Sequence, residues 1–119
     1  MIRQYIFEGL VDRVIDGDTY DVILDLGFYI SHLIRVRLKG VDTPEVFGRA
    51  ASEEGKIASA YVKELIEGKR VVVQTHKNSP STFNRWEADV YVHLLLEDGT
   101  PSQMNLADHL VDKGYATRV

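Results

Sequence analysis

Residues Arg35–Glu45 read R-V-R-L-K-G-V-D-T-P-E, and this stretch predicts a β-strand that ends in a turn. Apolar and cationic residues alternate along its first half, so Val36 and Leu38 would face one side of the strand and the cations the other. Gly40 then releases the backbone, and Pro44 cannot donate to a ladder of backbone hydrogen bonds. The strand is therefore predicted to stop within this stretch.

The turn after this strand would present Asp42, Thr43 and Glu45 together. Two carboxylates beside a strand end that carries arginines could hold a hard cation and a phosphate side by side. The plainer interpretation is a charged strand edge followed by a solvated turn, because charged residues are common in turns. This stretch alone does not decide between the two.

Two further stretches favour the first interpretation. Residues Val11–Thr19 read V-D-R-V-I-D-G-D-T, where an apolar run meets the turn signature Asp16-Gly17-Asp18 and Thr19 opens a second β-rich run. The third stretch, Phe83-Asn84-Arg85-Trp86, stands much later in the chain and precedes another strand-like run. Together they supply further carboxylates and another arginine.

The order of these motifs resembles the thermonuclease family, the staphylococcal-nuclease-like domains: D-G-D-T, then R-x-x-x-x-D-T-P-E, then F-N-R-W. The resemblance covers nearly the whole chain and extends to Ile57–Tyr61 and to the region of Gly114. D-G-D-T alone is a weak signal. The two carboxylate motifs in this order, with an arginine ahead of D-T-P-E, are specific.

The resemblance implies a calcium-dependent nuclease that hydrolyses phosphodiester bonds of DNA, RNA or both by in-line attack of water. Asp18 and Asp42 would bind Ca²⁺ directly, with the backbone carbonyl of Thr43 as a third ligand. So few protein ligands leave room for waters and a substrate oxygen. Glu45 would lie beyond the ligands and orient or deprotonate the attacking water. Arg37 and Arg85 would bind the phosphate and stabilise the charge that grows in the transition state.

Other residues near the expected metal-binding and catalytic residues depart from the family pattern. The family usually has an acidic–basic pair and a tyrosine where this chain has Ser81, Thr82 and Phe83. Phe83 keeps a ring for stacking but lacks the hydroxyl, and Thr82 lacks a cation. Tyr115 is a further candidate for substrate contact, because the prototype's terminal pocket tyrosine would fall past Val119. These changes bear on substrate affinity more than on reaction type.

The pattern of elements predicts a mainly β, α+β fold: a five-stranded OB-fold-like Greek-key barrel with two or three helices, forming one domain over residues 1–119. We expect strands near residues 4–15, 20–25, 29–39, 69–75 and 86–96, with a hairpin turn at Leu26-Gly27-Phe28. One helix would begin at the N-cap Ser52, end at Gly68 and bury a stripe of apolar residues; a second would start at Pro101. The expected stripe is Ile57, Ala58, Tyr61, Val62, Leu65 and Ile66, and Val71, Val72 and Val73 are expected to be a buried run.

The family prototype has one more helix at its C-terminus, and this chain stops before it. The core would then close through contact with a partner or through the hairpin near Gly27, which is longer than in the prototype. The sequence does not decide between these two, and it leaves the oligomeric state open.

Composition limits the partners of the protein. The 119 residues include no cysteine, which excludes disulfides and thiolate metal sites, and no apolar run long enough to span a bilayer. Because 18 acidic residues outnumber 14 basic ones, we expect weak, salt-sensitive binding to nucleic acid that is single-stranded or frayed, and no membrane partner. If Met1 is the natural start, the strand-like N-terminus predicts a cytoplasmic or phage-encoded protein; a trimmed chain leaves secretion open.

Two other functions are compatible with the sequence. An OB-fold module could hold single strands or a protein partner without catalysis, and a structural Ca²⁺-binding domain could use the carboxylates alone. The nuclease is favoured over the binding module because both the carboxylates and the arginines are present. A purely structural calcium site would leave Arg37 and Arg85 without a role.

Overall fold

The structure is a computed structural model that describes residues 5–44, 52–76 and 85–119. Within these ranges the chain forms eight strands and two helices: β1 (Ile6–Asp16), β2 (Thr19–Asp25), β3 (Ser31–Leu38), β4 (Val41–Asp42), α1 (Glu53–Ile66), β5 (Arg70–Thr75), β6 (Trp86–Leu95), β7 (Pro101–Asn105), α2 (Leu106–Asp112) and β8 (Thr117–Arg118). Neither of these helices is both long and apolar enough to cross a membrane.

Strands β1, β2, β3, β5 and β6 form a closed barrel. Antiparallel pairs run in the order β3-β2-β1-β5-β6, and a parallel pairing of β3 with β6, from Val36↔Trp86 to Leu38↔Ala88, closes the ring. The predicted α+β class and OB-fold-like barrel are confirmed. The antiparallel pairing of β2 with β3, which sets Thr19 against Arg37, brings the turn between β1 and β2 and the end of β3 to the same end of the barrel.

The barrel interior is built by the period-two alternation of its strands. On β3, Val36 and Leu38 are fully buried, whereas the side chains of Arg35 and Arg37 lie on the outer face. Both ends of α1 follow the sequence signals. The Ser52 hydroxyl accepts the Gly55 N–H at 3.0 Å, and Gly68 takes a φ of +75° just past the helix.

The region after Pro101 corrects the sequence prediction. Residues Pro101–Asn105 are a strand, β7, that pairs with β6 from Tyr91↔Asn105 to Leu95↔Pro101, so the second helix begins only at Leu106. Proline is tolerated as the first residue of an edge strand, and β6 offers this segment its free edge. The helix then starts because the Asn105 side chain accepts the Asp108 N–H at 3.0 Å.

Two predicted core positions are also wrong. Ile57 is 57% exposed, because the buried face of α1 runs through Ala58, Val62 and Ile66 and turns Ile57 away from the barrel. Val72 is only half buried, because strand alternation points it to the face opposite its fully buried neighbours. The two-residue strands β4 and β8 were not predicted.

The hairpin between β2 and β3 differs from the predicted turn. Strand β3 starts at Ser31 rather than Tyr29, and the turn is closed by the Ile30 N–H donating to the Gly27 carbonyl at 2.9 Å. Its two central residues, Phe28 and Tyr29, have φ of +55° and +61°. A left-handed conformation costs a non-glycine residue about 1–2 kcal/mol. The hairpin therefore displays two aromatic residues at an energetic cost.

Candidate active site

The buried polar side chains in the described part of the chain are three, and they form one cluster: Asp18, Thr19 and Thr43. Asp18 Oδ1 accepts the Thr19 hydroxyl at 3.1 Å, and Asp18 Oδ2 accepts the Thr43 N–H at 3.0 Å. The Asp18 carbonyl accepts the Leu38 N–H at 2.8 Å. The carboxylate is thus fixed in orientation, and it keeps acceptor capacity beyond these two bonds.

Close packing of Gly17 against Thr43 positions this cluster. A Cβ added at Gly17 would lie 2.8 Å from Thr43 Oγ1 and 3.0 Å from its Cβ and Cγ2, so only glycine fits. The Tyr20 hydroxyl donates to the Gly17 carbonyl from beneath the turn. Burial raises the pKa of Tyr20 well above its ordinary value, and the Asp18 carboxylate adds to the rise. The phenol therefore stays protonated as a donor.

We expect Gly17→Ala to destabilise the fold by about 1–3 kcal/mol, the range for overpacking a buried position. The added methyl would push the turn that carries Asp18 away from Thr43. Urea unfolding of the single variant, of Thr43→Ala and of the double variant measures the coupling between the two positions. The double variant should recover part of the loss, and purely additive effects would contradict the close contact.

The Arg37 guanidinium joins the cluster to the next carboxylate. Its Nη1 donates to the carbonyls of Leu38 and Val41, at 2.9 and 2.8 Å. Its Nη2 donates to Asp42 Oδ1 and lies 3.5 Å from Asp18 Oδ2. A carboxylate from the β1–β2 turn and one from β4 therefore meet at one nitrogen, and Arg37 carries the positive charge that faces them both.

Asp42 lies on β4, which is held by the last strand of the fold. Val41 pairs with Arg118 and Asp42 with Thr117, and the Val119 N–H donates to the Gly40 carbonyl at 3.1 Å. The Asp42 side chain is 53% exposed, so it lies open to solvent beside the buried Asp18. This support was not predicted, because only a few β-forming residues follow Gly114 in the sequence.

Residues of β4 contribute to the lining of two pockets. One, of about 210 Å³, is lined by Arg37 and Arg85 together with Gly40, Glu87 and Val119. The other, of about 270 Å³, places Asp42 and Thr43 across from Tyr115 and Thr117. The two predicted arginines thus line one pocket, and the predicted substrate residue Tyr115 shares another with two of the predicted metal ligands.

Tyr115 is held in place by a stack of side chains from both helices. Its ring lies 4.3 Å from the ring of Tyr61 at an interplanar angle of 19°. The Tyr61 hydroxyl is 2.6 Å from Nε2 of His109, and burial lowers the pKa of that histidine. A neutral His109 can accept a hydrogen bond from the Tyr61 hydroxyl. Tyr115, which lines the second pocket, therefore packs against Tyr61 of α1 and, through it, is supported by His109 of α2.

Three predicted site residues lie outside the described residues: Glu45, Thr82 and Phe83. Of the other six, four are in direct contact with one another: Asp18, Asp42, Thr43 and Arg37. The remaining two, Arg85 and Tyr115, line the neighbouring pockets. The catalytic, metal-binding and substrate-binding roles of all nine stay predictions.

The oxygen atoms of Asp18, Asp42 and Thr43 are donors of the type that binds a hard cation. The described residues include no cluster of three or more metal-type side chains, but Asp18 and Asp42 offer two carboxylates within reach of one point charge. Thr43 Oγ1 is buried and makes no hydrogen bond within the described residues, so the residue whose N–H binds the Asp18 carboxylate also carries an unsatisfied oxygen. Oxygen donors of this kind suit calcium.

Fold and site together define an OB-fold-like barrel with a carboxylate and arginine cluster at one end. The chain belongs to the family described as staphylococcal nuclease homologue, whose model matches residues 35–119. The match includes the second half of β3 with Arg37, the D-T-P-E motif, Arg85 and both helices. The family membership inferred from motif order is confirmed.

Two of the relatives described here carry nuclease names. The chain is 30% identical over 118 residues to the endonuclease YhcR of Bacillus subtilis, covering 92% of this chain and 9% of that protein. It is 36% identical over 85 residues to the thermonuclease of Staphylococcus intermedius, covering 70% of this chain and 48% of that protein. It is 31% identical over 108 residues to the protein ParB of Escherichia coli, covering 91% and 55%. The chain therefore spans only part of each of these relatives, from about a tenth to about half of their length.

Proposed function

We propose that the protein is a calcium-dependent nuclease that hydrolyses phosphodiester bonds in DNA, RNA or both. The observation that carries the proposal is the meeting of Asp18 and Asp42 at one nitrogen of Arg37, beside a pocket that Arg37 shares with Arg85. Carboxylates that can bind a cation therefore lie next to guanidinium groups that can donate to a phosphate. Family membership and the nuclease names of the relatives support the same activity.

Each residue has a distinct task in this proposal. Asp18, Asp42 and Thr43 would hold the calcium ion, which when bound supplies positive charge to the phosphate and its attacking water. Arg37 and Arg85 would donate to phosphate oxygens, where negative charge increases as the new P–O bond forms and the ester P–O bond breaks. Glu45 would take the proton of the attacking water.

The charge of the chain bears on the substrate. With a net charge of −4, the protein has no excess of cations to hold a long duplex by its phosphates. A single strand or frayed end needs fewer phosphate contacts and can bend into pockets of about 210 and 270 Å³. We therefore propose single-stranded or frayed nucleic acid as the preferred substrate.

The test is incubation of the protein with a single-stranded oligonucleotide, its duplex and an RNA of the same sequence, with Ca²⁺ and then with EGTA. Cleavage that needs Ca²⁺ and is faster on the single strands supports the proposal. A mobility shift without cleavage in any metal would indicate a binding module instead. Cleavage by Mg²⁺ or Mn²⁺ but not Ca²⁺ would overturn the choice of metal.

Asp42→Asn should weaken calcium binding and abolish cleavage while the fold is retained, because an anionic ligand becomes a neutral one. The Asp42 side chain is half exposed, so the substitution leaves the core intact. Calorimetric titration with Ca²⁺ and a circular dichroism spectrum measure the two effects. Asp98→Asn, at an exposed turn far along the chain, is the matched control. Unchanged calcium affinity in Asp42→Asn would exclude this ligand.

A further inference from the structure

The pocket beside the two arginines contains a negative charge that the proposed mechanism does not use. In the described part of the chain, three charged side chains belong to its lining: Arg37, Arg85 and Glu87. A carboxylate repels any anion that enters the same pocket, and the repulsion increases with the charge of that anion. Glu87 therefore affects which phosphate group the pocket prefers.

The backbone fixes Glu87 beside both arginines. The parallel pairing of β3 with β6 sets Arg37 directly against Glu87, and neighbouring strands lie about 4.8 Å apart. Because Ala88 is fully buried in the barrel, strand alternation turns Glu87 to the outer face of β6. Arg85 precedes Glu87 by two residues. The Glu87 carbonyl accepts the His76 N–H at 3.2 Å, so the end of β5 holds this part of β6 in place.

The charges of the proposed ion ligands and of the pocket favour a singly charged phosphate. The two positive charges of a bound calcium ion offset the carboxylates of Asp18 and Asp42. Glu87 then offsets one of the two arginines, which leaves one positive charge in the pocket. A phosphodiester carries one negative charge, whereas a phosphomonoester carries nearly two above its second pKa of about 6. The pocket therefore matches a diester in charge better than a monoester.

We propose that Glu87 makes this pocket selective for a phosphodiester over a phosphomonoester, which favours release of the product. The inference rests on the proposed nuclease function. In the hydrolysis, the water oxygen bonds to phosphorus, the ester P–O bond breaks, and the leaving oxygen departs as an alcohol after taking a proton. The phosphate remains in the pocket as a monoester with an additional ionisable oxygen. Glu87 then repels the product more strongly than it repelled the substrate.

The same repulsion acts on the transition state, in which negative charge on the phosphoryl oxygens also increases. Removal of the Glu87 carboxylate should therefore leave the chemical step as fast as in the wild type or make it faster. The benefit of Glu87 lies in turnover, because release of the product limits the rate of many enzymes. A residue that only supported the arginines would slow the chemical step when it was replaced.

Two ligands that differ in charge and by one methyl group test the selectivity: thymidine 5′-phosphate and its methyl ester, at about pH 8 with saturating Ca²⁺. NMR titration that follows the Nε–H signals of Arg37 and Arg85 gives both dissociation constants, and phosphorus signals verify that the ester stays intact. Glu87→Gln should bind the diester about 5-fold more tightly and the monoester about 25-fold more tightly, because the Coulomb energy is proportional to the charge of the ligand.

Inhibition by the product is the second measurement. With a single-stranded oligonucleotide as substrate, the inhibition constant of thymidine 5′-phosphate should be about 25-fold lower in Glu87→Gln than in the wild type. The single-turnover rate should be unchanged or higher. If both ligands bind as expected but no nucleic acid is cleaved, the nuclease proposal fails while the selectivity of the pocket is supported.

Control variants separate charge from structure. Glu87→Asp keeps the charge and should keep the wild-type ratio of the two dissociation constants, and Glu87→Ala should change that ratio in the same direction as Glu87→Gln. Glu8→Gln removes an exposed carboxylate of β1 that does not line the pocket, and it should leave both constants unchanged.

Three results would overturn the inference. An equal gain for both ligands in Glu87→Gln, or no gain, would mean that Glu87 does not discriminate by charge. Weaker binding of both ligands would make Glu87 a support for the arginines. Failure of both ligands to bind the wild type and Glu87→Gln would mean that this pocket does not take a phosphate.

Discussion

Replacing Arg85 with alanine is expected to lower kcat by about 10²–10³-fold, the cost of removing one donor to the developing charge of a transition state. Calcium affinity should stay at the wild-type value, because Arg85 is a cation that lines the pocket beside Arg37 and is not one of the proposed metal ligands. Single-turnover kinetics on a short single strand measure the chemical step, and calorimetry measures the ion. Arg13→Ala, which removes an exposed arginine of β1, is the matched control and should keep full activity.

Arg85 is a cleaner test than Arg37. Arg37 donates to two backbone carbonyls at the end of β3 and to Asp42, so its loss would loosen the turn and the metal ligand as well as the phosphate site. We expect Arg37→Ala to lose both stability and activity. If Arg85→Ala instead changed affinity and its salt dependence with kcat unaffected, Arg85 would be only a surface cation beside a binding groove.

Replacing Glu45 with glutamine is expected to reduce kcat by about 10²–10⁴-fold, the usual contribution of a general base. Glutamine keeps the size and hydrogen-bonding capacity of the side chain but cannot take a proton, so calcium affinity should remain near wild type. The dependence of kcat on pH is the second measurement, because the acidic limb of the profile belongs to the base and should disappear in the variant.

The control for Glu45→Gln is Glu54→Gln, an exposed carboxylate in the first turn of α1. It removes the same charge without touching the site, and its kinetics should match the wild type. A Glu45→Gln variant with unchanged kcat and weakened calcium binding would make Glu45 a metal ligand rather than the base.

The α+β class and the OB-fold-like barrel were predicted from the sequence and are confirmed, whereas the roles of the predicted site residues stay predictions. The motifs place Asp18 just before β2 and Asp42 just after β3, and the antiparallel pairing of these two strands brings the two carboxylates to the same end of the barrel. Motifs could not show that Arg37 is the shared partner of both carboxylates, since this depends on the carbonyls of Leu38 and Val41 that hold its guanidinium. They also could not show that Gly17 is required by the packing of Thr43.

The errors in the fold arose where tertiary context overrode local preference. Residues Pro101–Asn105 carry no strong pattern of their own, and the free edge of β6 makes them a strand. Ile57 fits the helical stripe by spacing, but the barrel meets α1 along a slightly different line. Phe28 and Tyr29 disfavour a tight turn. The pairing of Asp25 with Ser31 nevertheless leaves only residues 26–30 to connect β2 to β3, so a tight turn is required.

The pairing of β4 with β8 has a consequence for the order of events during synthesis. Asp42 is translated early, but the strand that borders it contains Thr117 and Arg118. While Thr117 and Arg118 are still inside the ribosome, the nascent chain lacks the strand that pairs with Asp42. Long-range pairs of this kind form only when both segments are free. The carboxylate edge is thus completed only after the strands of the barrel have been synthesised.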